Sequence, residues 1–301
     1  MTTKKSIQFI VNPVSGYKNN EDILALVKSN LDHSKFDYEF TLTKARGHAT
    51  EIATQAVKDN VDIVVACGGD GTVNEVSAPL VHSKSTLAII PNGSGNGFAM
   101  HIGMGRNCKK AIRLINNSVQ LCIDTCTVND SYFLNLAGIG FDALIAYKAE
   151  HGNTKRGFQM YASMVTKELF KFKAMDYTLA LDKEKINGAF TVVAIANAAM
   201  YGYNFNIAPH AKLTDGLLDV VLIKDAPLLR SICSSWRLLN KSIEKSSLVE
   251  VKRSKEIRLS LKEPYYYHVD GESRTFDKDL HFKVVPKSLN ILLPKEKSQA
   301  V

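Results

Sequence analysis

The chain has 301 residues, 45% of them hydrophobic and 23% charged, with a formal net charge of +8. That balance excludes a disordered chain and predicts a real core in one large domain or two ordinary ones; the excess of cations suits nucleotide, anionic membrane surface or nucleic acid without choosing among them. The five cysteines, Cys67, Cys108, Cys122, Cys126 and Cys233, are odd in number and form no C-x-x-C. They predict buried thiols in a reducing cytoplasm, not a disulfide framework or a zinc site.

The first apolar run, residues 6–11, is too short for the hydrophobic region of a signal peptide and reads as a strand. Strand 7–11 leads into the turn cluster Asn12-Pro13-Val14-Ser15-Gly16. A helix follows at 21–31, with Ile23, Leu24, Leu26, Val27 and Leu31 at helical spacing. Residues 36–43 read as a second strand. Residues 48–57 read as a second helix, with Ile52, Ala53, Ala56 and Val57 on one face. The β-branched run 61–67 reads as a strand buried on both faces. It enters Gly68-Gly69-Asp70-Gly71-Thr72, after which residues 73–78 open a helix that Pro79 ends or kinks. Strand 86–90 ends at Pro91-Asn92-Gly93-Ser94-Gly95-Asn96-Gly97, and 108–116 is a further helix. This alternation predicts a parallel sheet covered by helices, with ligands beyond the carboxyl ends of its strands.

Glycine lets backbone approach a ligand closely, and a helix N-terminus offers N–H groups and a positive dipole end. Residues 12–16, 68–72 and 92–97 all follow strand ends, and Thr43 ends another. One such loop could be turn chemistry; three on one edge predict a phosphate site. The spacing is neither that of a P-loop nor G-x-G-x-x-G. Asp70 between glycines is hard to read as packing, because a carboxylate beside phosphates needs a metal or a donor partner.

Beyond about Asp124 short strands replace the alternation, at 121–128, 132–137, 177–181, 190–196, 217–223, 256–261, 282–285 and 289–293. They predict a sandwich or barrel, hence two domains, 1–124 and 125–301. The most apolar long stretch, 190–200, contains Asn197 and is too short to span a bilayer. Residues 147–173 hold Lys148, Lys155, Arg156, Lys167, Lys171 and Lys173 among aromatic and aliphatic residues. Tyr161, Met164, Val165, Leu169 and Phe172 fall at helical spacing, as a helix laid on the sandwich; its basic, aromatic face is a candidate for anionic lipid headgroups. Asp215-Gly216 and Asp270-Gly271 read as turns beside strands, and 265–269 as a strand. His33, His82, His101 and His281 have no ligand spacing. Trp236 and Lys252-Arg253-Ser254-Lys255 read as surface or packing features.

N-P-x-S-G at 12–16, G-G-D-G-T at 68–72 and P-x-G-S-G-N at 91–96 resemble the diacylglycerol kinase catalytic family. That family includes bacterial lipid kinases and sphingosine and ceramide kinases, and is related to NAD kinases and phosphofructokinases. The resemblance covers nearly the whole chain. It implies an α/β N-terminal domain with an NAD kinase/phosphofructokinase-like parallel sheet, plus an all-β sandwich-like C-terminal domain for lipid, with the last residues packing back on the first domain. It implies an ATP site lined by Asn12, Pro13, Ser15, Gly16, Thr43, Gly68, Gly69, Asp70, Gly71, Thr72, Asn74, Gly93, Ser94 and Asn96. In A-P-x-A-x-x-x-D-G-x-L-x-V, Asp215 matches the family's magnesium-linked acid, with Lys212 and Leu217 supplying backbone carbonyls. The Glu of D-G-E, Glu272, takes the role of catalytic base; Asp270 supports metal or base, and Asp70 helps hold magnesium on the phosphates.

The activity so implied is ATP- and Mg2+-dependent transfer of the γ-phosphate to the hydroxyl of a membrane lipid such as diacylglycerol or a sphingoid base. The implied setting is cytoplasmic, in peripheral contact with the membrane, with no nucleic-acid partner and with a homodimer left open. Two positions depart from the family. Gly93-Ser94-Gly95-Asn96-Gly97 lacks the acid of G-T-x-N-D and looks more like the sphingosine kinase branch, and Tyr17 stands where many members have lysine. The rival enzyme is a soluble kinase of NAD type, which shares G-G-D-G-T. The rival from another class is a non-catalytic nucleotide-binding regulator, against which the intact Asp70, Asp215, Asp270 and Glu272 argue.

Overall fold

Runs of β-branched residues alternating with amphipathic segments build the first half of the chain in a computed structural model. It describes residues 4–16, 18, 20–152 and 158–298, without the side chains of residues 20, 158–162, 203, 228, 229, 232 and 235. Tyr17, Lys155 and Arg156 lie outside the described residues. The chain divides into two compact units, residues 1–125 with 286–301, and residues 126–285.

The first unit runs β1 (Lys5–Val11), α1 (Asn20–Asn30), β2 (Phe36–Leu42), α2 (His48–Lys58), β3 (Ile63–Gly68), α3 (Asp70–Leu80), β4 (Thr86–Pro91), α4 (Gly97–His101), α5 (Cys108–Ile115) and β5 (Val119–Val128). Strands β2, β1, β3 and β4 are neighbours in that order and parallel. Every residue of β3 and β4 is buried, as a parallel strand covered on both faces requires. Register matters for the site. Val11 pairs with Leu42 and Cys67, and Gly68 with Pro91, so β1, β2, β3 and β4 end together. Pro79 neither ends nor breaks α3, which runs on to Leu80. Proline cannot donate to the carbonyl four residues back, and here the Thr50 hydroxyl of α2 donates to Glu75 O at 3.0 Å in its place.

The second unit continues with β6 (Ser131–Phe133), β7 (Leu136–Gly140), α6 (Phe141–His151), α7 (Phe158–Leu169), β8 (Met175–Leu181), β9 (Lys185–Ala196), β10 (Leu218–Lys224), α8 (Leu228–Leu239), β11 (Val249–Ser254), β12 (Glu256–Ser260), β13 (Tyr265–Val269), β14 (Glu272–Phe276) and β15 (Asp279–Leu293). Its antiparallel order is β14-β13-β7-β9-β8-β12-β15, with β10 added on β9 and β11 on β10. Side chains alternate along β9 and β10. Val193, Ile195, Val220 and Leu222 enter one core with Tyr177, Leu259 and Phe282. Val192, Ala194, Ala196 and Val221 enter another, where Phe141 and Ile145 of α6, Val165 and Leu169 of α7 and Leu238 of α8 cover the sheet. The sandwich-like, β-rich expectation for this unit stands; the helix expected on it, α7, is joined by α6 and α8 on one face.

The expected strands 282–285 and 289–293 are one, β15, which runs through Pro286. Side chains hold this stretch: Asp124 Oδ1 accepts from Lys287 N at 2.7 Å, and Ser288 Oγ from Thr125 N at 3.1 Å. Beyond it, β15 joins the first unit's sheet, parallel to β4 with Asn290 beside Thr86. All five cysteines are free thiols; Cys67, Cys108 and Cys126 are buried, whereas Cys233 is exposed, against the expectation of buried thiols. Among the described residues no helix is long and apolar enough to cross a membrane.

Candidate active site

The common end of β1–β4 brings the three glycine-bearing loops into backbone contact. The ladder extends one step past the strands: Asn12 N donates to Cys67 O at 3.0 Å, Asn92 N to Gly68 O at 2.8 Å, and Thr43 N to Val11 O at 2.9 Å. Two glycines are needed for this approach. Gly16 has φ +74°, and a Cβ there would lie 1.8 Å from Asn92 O; one on Gly93 would lie 2.4 Å from Gly69 Cα. Asn92 ties the loops together, its Nδ2 donating to Ser15 O at 2.9 Å and Lys18 O at 3.1 Å. Asn12 Nδ2 donates to Thr72 Oγ1 at 3.1 Å, and Asn96 closes the third loop through Gly93 N at 2.9 Å and Gly93 O at 2.6 Å. Arg106 Nη2 holds the carbonyls of Ser94 and Gly95 at 3.2 and 3.3 Å. Pro13 sits exposed in the first loop, and Gly71 and Asn74 lie on α3, whose first turn starts at this edge. The sequence candidates of the first unit are thus brought together, and the amides that open α3 are suited to an anion.

Asp70 finds its donors in the backbone. Its Oδ2 accepts from Gly97 N at 3.1 Å and its Oδ1 from Phe98 N at 3.3 Å, so it caps the start of α4. The strand-loop-helix register alone could not reveal this partner, because the capped helix lies 27 residues on.

In the second unit, β13 and β14 form a two-residue hairpin. Asp270 and Gly271 have φ +50° and +89° between the paired Val269 and Glu272, the geometry for which a D-G pair is suited. Asp270 points inward, buried, and its carboxylate accepts from the backbone of Leu134, Asn135 and Leu136 at 3.1, 3.0 and 3.1 Å. Glu272 opens β14, half-buried. Helix α6 clamps this hairpin along its length. His268 Nε2 lies 3.2 Å from Asp142 Oδ2, Tyr147 stacks on Tyr266 at 4.1 Å, and Glu150 Oε2 accepts from Ser273 N at 2.9 Å and Ser273 Oγ at 2.7 Å. Tyr201 OH donates to Asp142 Oδ2 at 2.7 Å. Burial pushes the Tyr265 hydroxyl up to about 12, with Tyr266 and Asp142 adding to it, and burial raises Tyr177 further. Asn92, Asp142 and Glu150 were not among the sequence candidates. Asn92 lay in a recognised loop; for the two acids the sequence offered no signal without the helix that carries them.

The third group of candidates lies at the Asp215-Gly216 turn before β10. Asp215 and Lys212 are exposed and Leu217 is half-buried; Leu217 N donates to Asp215 Oδ1 at 3.1 Å. Nearby, buried Asp219 pairs with Arg253 at 3.0 Å; burial raises its carboxyl, and Arg253 opposes the rise. One carboxylate with backbone carbonyls is a hard-oxygen set, the chemistry Mg2+ takes when it retains waters. Among the described residues no group of three or more His, Cys, Asp or Glu is placed to hold a metal.

The parallel sheet with its loop edge and the helix-covered antiparallel sheet define the NAD kinase-like fold class. An NAD kinase from Archaeoglobus fulgidus, solved with ATP, matches with a TM-score of 0.51 at 13% identity, over 98% of this chain and 96% of that one. A diacylglycerol kinase structure from Bacillus anthracis matches with a TM-score of 0.77 at 21% identity, over 98% and 99%. In sequence, the diacylglycerol kinase catalytic domain matches residues 6–128, and the YegS C-terminal NAD kinase beta sandwich-like domain residues 135–293. An uncharacterized protein of Synechocystis is 30% identical over 98% of this chain and 71% of its own length. A diacylglycerol kinase of Bacillus subtilis is 27% identical over 98% of both. The chain belongs to the diacylglycerol kinase catalytic family of lipid kinases.

Proposed function

We propose that the protein transfers the γ-phosphate of ATP to a hydroxyl of a membrane lipid, with diacylglycerol and a sphingoid base as the leading acceptors. The observation that carries this reading is the packing of three glycine-bearing loops, backbone to backbone, at the N-terminus of α3. In this reading the phosphates rest on residues 68–72, with Asn12, Ser15, Gly16, Thr43, Asn74, Gly93, Ser94 and Asn96 around the nucleotide. Asp70 and Asn92 keep the loops in shape. Glu272 accepts the proton of the lipid hydroxyl as its oxygen attacks phosphorus, and Asp270 sets the turn that presents it. Bound Mg2+ supplies neutralisation of phosphate charge, and Asp215 with the carbonyls of Lys212 and Leu217 is the set assigned to hold an ion. Lys167, Lys171 and Lys173, all exposed, contact the membrane surface peripherally.

The test is transfer of radiolabelled γ-phosphate to a panel of lipids in mixed micelles, with NAD included. The reading expects a labelled lipid, and loss of turnover by at least about a hundredfold in Glu272→Gln with ATP binding retained. NAD phosphorylation exceeding turnover of every lipid would overturn it in favour of a soluble kinase. A weak transfer signal left unchanged by Glu272→Gln would favour a nucleotide-binding regulator.

A further inference from the structure

The chain has a single tryptophan, and it is not in a core. Trp236 on α8 is 68% exposed, and Leu239, three residues on, is 39% exposed. Cys233, Trp236 and Leu239, all exposed, follow one another at three-residue steps along one side of the helix, and Arg230 and Arg237, seven residues apart, lie together on its flank. The other side is fixed to the unit. Leu238 packs on the core of Val192 and Val221, Leu238 O accepts from Asn206 N at 2.8 Å, and Ser234 Oγ lies 2.6 Å from Ser246 Oγ. The helix is held from within while its indole faces out.

Charge says what that side meets. Helix α8 contains Arg230 and Arg237 and no acid. Arg230 donates to the Ser247 hydroxyl at 2.8 Å, a neutral partner that leaves its charge uncompensated. The same sheet face carries a second element of this kind. Leu169 and Phe172 pack in the core that Leu238 joins, while Phe170 between them is 66% exposed beside exposed Lys171. The acid there, Glu168, is paired with Lys148 at 2.7 Å. Two elements on one face thus each show a large apolar side chain next to cations. An anionic bilayer matches both at once, with phosphates for the cations and the headgroup boundary for the rings.

We infer that the outer side of α8 docks on an anionic lipid bilayer, Trp236 and Leu239 entering the headgroup boundary and Arg230 and Arg237 resting on lipid phosphates. The inference rests on the lipid-kinase reading only in that it seats the enzyme on the phase holding its acceptor. Its test uses neither nucleotide nor turnover, so failure of phosphotransfer against every lipid leaves it standing.

Because Trp236 is the only tryptophan, the emission of the unmodified full chain reports this contact alone. Vesicles of phosphatidylglycerol and phosphatidylcholine should move the emission to shorter wavelength, and brominated lipid should quench it. Pure phosphatidylcholine vesicles should do so weakly. Arg230→Glu with Arg237→Glu, checked for folding by circular dichroism, should lower partitioning by at least about tenfold. Sedimentation with the anionic vesicles while the emission stays unmoved would overturn the inference and leave contact through another surface. No sedimentation at all would also overturn it. A blue shift that grows with protein concentration in the absence of lipid would assign the face to a second copy of the chain instead.

Discussion

Asp270 and Asp70 spend their carboxylates on backbone amides, three in one case and two in the other. Both residues stood out in the sequence for their place beside glycine, and a D-G turn at 270–271 was legible there. Which groups their oxygens meet was not, since Leu134 and Phe98 are remote in sequence. Removing a buried acceptor leaves its donors unsatisfied, so Asp270→Ala should cost about 3–5 kcal/mol in urea denaturation, and Asp270→Asn, which keeps one oxygen, distinctly less. Tyr265 gives a pH-dependent counterpart. A tyrosine in the unfolded chain loses its proton near pH 10.0, and in the fold Tyr265 keeps it to about 12. The folded state binds more protons between these values, so its contribution to stability is complete below pH 10.0 and is lost as pH rises toward 12. Thermal melts from pH 9 to 12 should show a shallower decline for Tyr265→Phe than for the unmodified protein.

Elements decide how closely the loops approach. Alternating strands and helices were readable in the first unit because each has its own hydrophobic period, and the loop edge followed from parallel pairing. In the second unit α6 was not readable, and α8 was overlooked. The stretch 141–151 sets Asp142, Lys148 and Glu150 among apolar residues and shows no clean stripe, whereas 228–239 is amphipathic, with its apolar residues gathered toward one side between serines and arginines. Strand β11 was hidden by its charges: Glu250 and Lys252 pair at the surface, and Arg253 pairs with buried Asp219. Asp142 and Glu150, which grip the hairpin bearing Glu272, became visible only with α6. Where Gly93 meets Gly69, Gly93→Ala should push the second and third loops apart. We expect a stability loss of about 1–3 kcal/mol with a larger proportional loss of ATP affinity, measured by calorimetry, whereas alanine at Gly105, whose Cβ would meet nothing within 4 Å but whose φ is +74°, should leave ATP affinity unchanged.

At the scale of the molecule, the first unit takes strands from both ends of the chain. Strand β15 leaves the second unit and lies beside β4, with Leu289, Ile291 and Leu293 buried there. The sequence placed a domain boundary near 124 and had the last residues packing back, but the parallel partner and the unbroken passage through Pro286 depend on contacts with Asp124 and Thr125. A chain ending at 285 should therefore expose the edge of β4 and aggregate, and light scattering during refolding should separate it from the full chain.

The same arrangement sets an order in time. Thr86 leaves the ribosome long before Asn290, its partner in the ladder. During synthesis the half with the three glycine-bearing loops emerges before the second unit, yet it must wait with an open sheet edge while some two hundred further residues are made, a long-range closure of the slow kind. The second unit, whose strands are drawn from one uninterrupted stretch, faces no such delay. The unit begun earlier of the two is thus the one completed later, and the nascent chain's exposure to chaperones and to self-association falls on the half with the glycine-bearing loops.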